Sequence, residues 1–193
     1  MSEQKRSKEY KHLEKRISQI EKNFKFNQSI NGITNLQADR LRGLRLLCHA
    51  ELEDYFESVA LKLLTIAEKK WIEKKIANYN LSSLFIWHDR IDKNDTNDTK
   101  ASMIIADYRK EIKSNHGIKE ENIKKLFGPL GYKIDDFDAT FISTLSSFGA
   151  LRGETAHTSA NKTQQPLDQN TELNRIRDLL SGIEDFEDVL NSK

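Results

Sequence analysis

Between residues 34 and 70 one apolar stripe runs without interruption: Leu44, Leu47/Cys48, Leu52, Tyr55/Phe56, Val59, Leu63 and Ile66/Ala67. The steps of three and four are those of an α-helix face. Thr34 with Gln37 three residues on is a capping-box start, and Asn31-Gly32 before it is a turn signal. The reading is one helix over about 35–70, roughly 50 Å long at 1.5 Å per residue. A helix of that length can hide its stripe only against other helices. With 2 prolines and 8 glycines in 193 residues, little elsewhere interrupts helical periodicity, and no alternating strand pattern occurs. The fold class expected is all-α, a helical bundle of four to five main helices with short accessory ones.

The remaining elements follow from the same periodicity. Residues 3–29 read as a charged first helix with Leu13, Ile17, Ile20 and Phe24 on one side. Residues 71–93, with Trp71, Ile76, Tyr79, Leu84, Phe85 and Trp87, read as a short helix and connector. Segments 100–115 and 118–127 are two more short helices, stopped by Gly128-Pro129-Leu130-Gly131. Asp135 is expected to cap a helix with the stripe Phe137, Phe141, Leu145, Phe148, Arg152, and residues 158–170 form a polar loop around Pro166. A last helix over about 171–191 turns Leu173, Ile176, Leu180, Ile183, Phe186 and Leu190 inward. Domain organisation is read as an N-terminal arm, residues 1–33, on a helical domain of residues 34–193.

Composition excludes several functions. The apolar fraction is 37% and the charged fraction 32%, which suits amphipathic helices that each keep an exposed face. A net charge of +1 gives no broad field for coating nucleic acid, so any RNA contact is local. Cys48 is the single cysteine, which rules out an internal disulfide or a cysteine-rich zinc site, and it reads as core. Met1 to Arg16 lacks the apolar run of a signal peptide, and no segment has the ~20 apolar residues of a membrane span, so the expectation is a soluble cytoplasmic protein. Asp92 to Thr99 is acidic but lacks the glycine and terminal glutamate of a calcium loop. Neither a metal nor another cofactor is called for.

The segment Ser146-Ser-Phe-Gly-Ala-Leu-Arg152-Gly-Glu-Thr-Ala-His157 carries the chemistry. Arg152 continues the core stripe four positions after Phe148, so its charge needs a partner or an interface. Gly149 and Gly153 flank it and leave room for a second backbone, of protein or of RNA, to come close. On a regular helix, positions five apart differ by about 140° around the axis. Arg152 and His157 then converge either because Gly153 loosens the turn or because a two-fold axis brings each Arg to the partner's His, and we favour the axis. An arginine and a histidine suit phosphodiester cleavage by the RNA 2′-hydroxyl: imidazole moves protons near neutral pH, and guanidinium steadies the crowded phosphate. The spacing alone is weak evidence, and by itself it favours a surface ion pair of Arg152 with Glu154.

Three segments together are more specific. Leu-Arg-Gly-Glu-Thr-Ala-His-Thr, from Leu151 to Thr158, resembles the Arg-x4-6-His signature of the HEPN superfamily, whose members are helical bundles. Leu44-Arg-Leu-Leu-Cys-His49-Ala-Glu-Leu-Glu53-Asp-Tyr-Phe-Glu57 is similar to the long second helix of its RiboL-PSP-HEPN branch, and Leu126-Phe-Gly-Pro-Leu-Gly-Tyr132 to the turn before the motif helix. The resemblance implies a dimeric, metal-independent endoribonuclease that leaves a 2′,3′-cyclic phosphate and a 5′-hydroxyl. It also implies work in toxin–antitoxin or antiphage defence, with an antitoxin or defence partner. Arg152 and His157 fall on the catalytic pair. Gly153 departs from the pattern, because many active members carry a polar residue after the arginine, and Glu154 or Thr155 are the substitutes at hand.

Arg42, Arg45, His49 and Glu53 share a face of the long helix at steps of three and four. One reading is a polar stripe bracing a neighbouring helix. The other places the stripe in the catalytic cleft, with Glu53 holding Arg152 or His157 and Arg42 and Arg45 on RNA phosphates. His12, His88 and His116 are expected to be solvated, and Trp71 and Trp87 to pack. The rival to the nuclease is a non-catalytic HEPN module that dimerises and binds RNA or protein.

Overall fold

A computed structural model describes residues 6–27, 32–88, 95–157 and 168–193, with the backbone alone for 153–157. These residues form seven α-helices: α1 Lys8–Phe24, α2 Asn35–Lys74, α3 Tyr79–Trp87, α4 Asn97–Lys113, α5 Glu120–Phe127, α6 Ala139–His157 and α7 Gln169–Asn191. The chain is all-α, as the periodicity predicts. Among the described residues no helix is long and apolar enough to cross a membrane.

The axis of the bundle is α2, whose 40 residues extend about 60 Å. Each of the other six helices packs on it. Its start is the capping box read from the sequence: Thr34 Oγ1 accepts from the Gln37 amide at 3.2 Å, and Gln37 Oε1 accepts from the Thr34 amide at 2.8 Å. It ends four residues later than expected, at Lys75 in the left-handed conformation (φ 54°). Of the paired stripe positions, Cys48 and Ala67 are fully buried, whereas Leu47 and Ile66 are 44% and 42% exposed. Leu41, Ala60 and Leu64 complete the buried face.

Helix α1 is shorter than its charged sequence suggested, because Ser7 caps it by accepting from the Tyr10 amide at 3.0 Å. Tyr10, Leu13, Ile17 and Ile20 lie in the same core as α2, and Phe24 fits over Gly43, where any Cβ would strike its ring. Arg6 ties the start of α1 to Glu184 and Asp188 of α7, both at 2.9 Å. Gln169 at the head of α7 pairs with the Phe26 backbone just after α1, accepting at 2.8 Å and donating at 3.0 Å.

An aromatic hub joins the two long C-terminal helices to α2. Phe186 of α7 meets Phe56 edge-on at 5.4 Å, Phe127 at 4.9 Å, and Phe137 stacked at 4.4 Å. Truncating Phe186 to alanine is worth roughly 3–5 kcal/mol. Phe141 fills the space over Gly182, so α6 and α7 approach closely there.

Helix α6 does not begin at Asp135. Residues Ile134–Asp136 form a 3-10 turn, and Phe137 is extended, which carries its ring into the hub. Asp138 then caps α6, accepting from the Phe141 amide at 2.7 Å. From there Phe141, Leu145 and Phe148 line the core up to Arg152. Gly149 serves a contact within the chain: a Cβ there would lie 3.1 Å from Lys119 and 3.3 Å from Ile118. The room read as space for a second molecule is therefore filled by the turn before α5.

His12 and His116 are exposed. His88 is not, because its ring packs beside Trp87 and its Nε2 meets Asp107 at 3.2 Å. Trp71 packs against Phe85, while Trp87 is 39% exposed and touches Tyr108 edge-on.

Candidate active site

Where α6 crosses α2, the polar stripe of the long helix divides by partner. Arg45 turns toward α7 and forms a two-pronged ion pair with Glu172: Nε donates to Oε2 at 2.7 Å and Nη2 to Oε1 at 2.6 Å. Both side chains are buried, Glu172 completely, and Arg175 adds a longer contact at 4.0 Å. A carboxylate taken out of water must be neutralised, and the guanidinium fork does so with two parallel bonds. Arg45 thus braces two helices and has no surface to offer a phosphate, contrary to its reading as an RNA contact. Arg42 pairs on its own helix with Asp39, at 2.6 Å.

One turn on, His49 is 2% exposed, and its Nδ1 lies 3.4 Å from Glu53 Oε2. Burial lowers its pKa, and the positive charge of Arg152 lowers it further, to about 4. At neutral pH the ring is uncharged, so it faces the Glu53 carboxylate as a dipole, not as a cation. Arg152 of α6 is half-buried, and its charge acts on the ring. Among the described residues no carboxylate forms an ion pair with it, in contrast to Arg6, Arg16, Arg45 and Arg109. Glu53, expected to hold Arg152 or His157, is seen paired with His49, and no ion pair between it and Arg152 occurs among the described residues.

The acidic ridge continues to Glu57, one helical turn past Glu53. Burial raises its pKa, an amide bond from Asn115 opposes the rise, and the negative charges of Glu53 and Asp54 add to it. Asn115, 2% exposed, donates to Glu57 Oε1 and to the Gly117 carbonyl, both at 3.0 Å, and accepts from Asn122 at 3.1 Å. His116 stands exposed near Glu57. Sequence reasoning missed this wall. The step from Glu53 to Glu57 was visible, but Asn115 is 58 positions away and only the fold joins them.

The helical backbone of α6 passes through Gly153 to His157 without a break, so Gly153 does not end the turn. The side chains of Glu154, Thr155 and His157, and residues 158–167, lie outside the described residues, and the sequence readings placed on them stand there as expectations.

No curated protein and no solved structure matches the chain. A sequence model of the RiboL-PSP-HEPN family matches residues 11–192, from within α1 to the end of α7. With a seven-helix bundle around one long axis and an Arg-x4-His segment closing the helix that crosses it, the chain belongs to the RiboL-PSP-HEPN family.

Proposed function

We propose that this protein is a metal-independent endoribonuclease of the HEPN type that acts as a homodimer in the cytoplasm, in toxin–antitoxin or antiphage defence. The observation that carries the reading is Arg152: a half-buried guanidinium whose charge acts on a buried, neutral imidazole, with no carboxylate among the described residues in an ion pair with it. A cation left in that state fits a site that takes up an anion, and the family supplies a phosphodiester as the candidate.

The chemistry is transesterification. The RNA 2′-oxygen bonds to phosphorus, the bond from phosphorus to the 5′-oxygen breaks, and the products are a 2′,3′-cyclic phosphate and a 5′-hydroxyl. One His157 imidazole takes the 2′-hydroxyl proton, and the two-fold mate's His157 protonates the departing 5′-oxygen. Arg152 donates to the phosphate oxygens as charge gathers on them. His49 and Glu53 orient the guanidinium, and Glu154 or Thr155 stands in for the polar residue that usually follows the arginine.

The test is incubation of total RNA with purified protein and mapping of the ends. Wild type yields cyclic phosphate ends, and Arg152→Ala and His157→Ala do not. Equal cutting by His157→Ala would remove the assignment. Gly153 in place of a polar residue favours a second reading, a HEPN module that binds RNA or protein without cutting. Arrest of growth on induction of wild type, absent with His157→Ala, selects the nuclease; RNA retention without cleavage in both selects the module.

A further inference from the structure

We infer that the cavity between the start of α5, the 3-10 turn and α6 is a base subsite, which takes an unpaired guanine of the RNA strand whose phosphate Arg152 binds. The inference rests on the reading of Arg152 as the phosphate-binding group and adds to it a substrate class, single-stranded RNA selected by a base.

The cavity has a volume of about 470 Å³, within the range of sites that bury a small ligand. Its walls are anchored independently of any ligand. Ser146 of α6 accepts from the Glu120 amide at 2.9 Å, which fixes the first turn of α5. Asp138 caps α6, and Phe137, stacked on Phe186, holds the end of the 3-10 turn. Ile134 and Ile142 supply apolar wall, Ser143 and Ser147 supply hydroxyls, and Glu120 and Asp135 supply carboxylates. An ionised carboxylate only accepts hydrogen bonds, whereas a hydroxyl accepts or donates. Guanine offers a carboxylate neighbouring N–H donors at N1 and N2, and its O6 and N7 accept from hydroxyls. Uracil sets carbonyls on both sides of a single donor and would turn them toward the carboxylate lone pairs. Glu120 is engaged with Lys124 at 2.5 Å, so the base edge falls to Asp135 at the exposed rim.

The cavity connects to Arg152 along α6. Ser146, Gly149 and Arg152 follow at steps of three, on a row that slants around the helix, and Arg152 lies about 9 Å beyond Ser146 along the axis. The middle position has no side chain, and Lys119 lies against it: a Cβ on Gly149 would come within 3.1 Å of Lys119 Cγ. An exposed lysine thus stands over the row between the cavity and the arginine, where the backbone of a bound strand runs. A base held at one end of the row and a phosphate at the other fix the register of the strand.

The test uses His157→Ala protein, so that binding is read without cleavage, and fluorescence anisotropy with short oligouridine strands that carry or lack a single guanosine. The guanosine strand is expected to bind about tenfold tighter. Ser147→Trp fills the cavity from an exposed position, and Asp135→Asn puts a donor in place of an acceptor oxygen; each is expected to remove the difference. Melting temperatures are measured alongside, and Asp135→Asn decides if Ser147→Trp lowers its own. Equal binding of the two strands, or a preference that survives substitution in the folded variants, overturns the inference. End mapping on total RNA separates it from the nuclease reading. His157-dependent cuts that share no guanosine at a fixed offset overturn the subsite and leave the nuclease intact. A guanosine preference that Asp135→Asn removes sustains the subsite even if wild type cuts no RNA.

Discussion

Arg45 lies on α2 and Arg152 on α6, which crosses it, and their surroundings differ in kind. Arg45 is clasped by the fully buried Glu172 through two bonds of 2.7 and 2.6 Å. Arg152 forms no ion pair among the described residues, and its charge acts on the uncharged ring of His49. The first arrangement joins α2 to α7 and consumes the arginine's donors. At Arg152 no carboxylate among the described residues takes the donors. An arginine in a helical core is therefore not by itself a sign of function, and what distinguishes the two is whether a carboxylate among the described residues clasps it.

The comparison can be broken most forcefully at the clasp. Arg45→Ala strands the Glu172 carboxylate in the core and is expected to cost about 3–5 kcal/mol in urea unfolding. A loss below 1 kcal/mol would mean that the pair is not structural. At the other arginine the expectation is reversed. Arg152→Ala should lower RNA cleavage by about 10²–10³-fold, while stability changes by less than about 1 kcal/mol.

Acid provides a third separation. Folded His49 titrates at about 4, below the ordinary histidine value of 6.5, so as pH falls the unfolded chain takes up the proton first. Its contribution is complete above pH 6.5 and lost as pH drops toward 4, roughly 2–3 kcal/mol in all. His49→Gln should flatten the unfolding free energy over that interval, and an unchanged slope would show that His49 is not held neutral. The smallest effect is expected at the wall beyond Glu53. Asn115→Ala removes the amide from Glu57 and should cost about 1–2 kcal/mol, with cleavage changed less than tenfold. A larger fall in cleavage would extend the site along the ridge to Glu57.

Much of the bundle was legible because helical periodicity is a local property. The Thr34-Gln37 capping box, the buried positions Leu44, Cys48, Leu52 and Phe56, and the turn at Gly128-Pro129-Leu130-Gly131 each depend on residues within a few positions. The misreadings were about competition between neighbours. Asp135 and Asp138 both look like caps, and the choice fell to Asp138 because Phe137 leaves the helix to stack on Phe186, about 50 residues away. His88 read as solvated because its partner Asp107 lies on the next helix. The polar stripe Arg42, Arg45, His49, Glu53 was visible as a unit. Its division into a brace and a site was not, since Glu172 and Arg152 arrive from α7 and α6.

By itself the sequence determined that this chain is a helical bundle wound on one long helix, and which segment brings an arginine to the end of the helix that crosses it. Those are consequences of spacing along the backbone, where each turn already knows its neighbours. Only the tertiary structure decided that Arg45 is spent as a brace. That outcome depends on desolvation and on the charge of Glu172, more than 100 positions away, brought within bonding distance when α7 closes on α2.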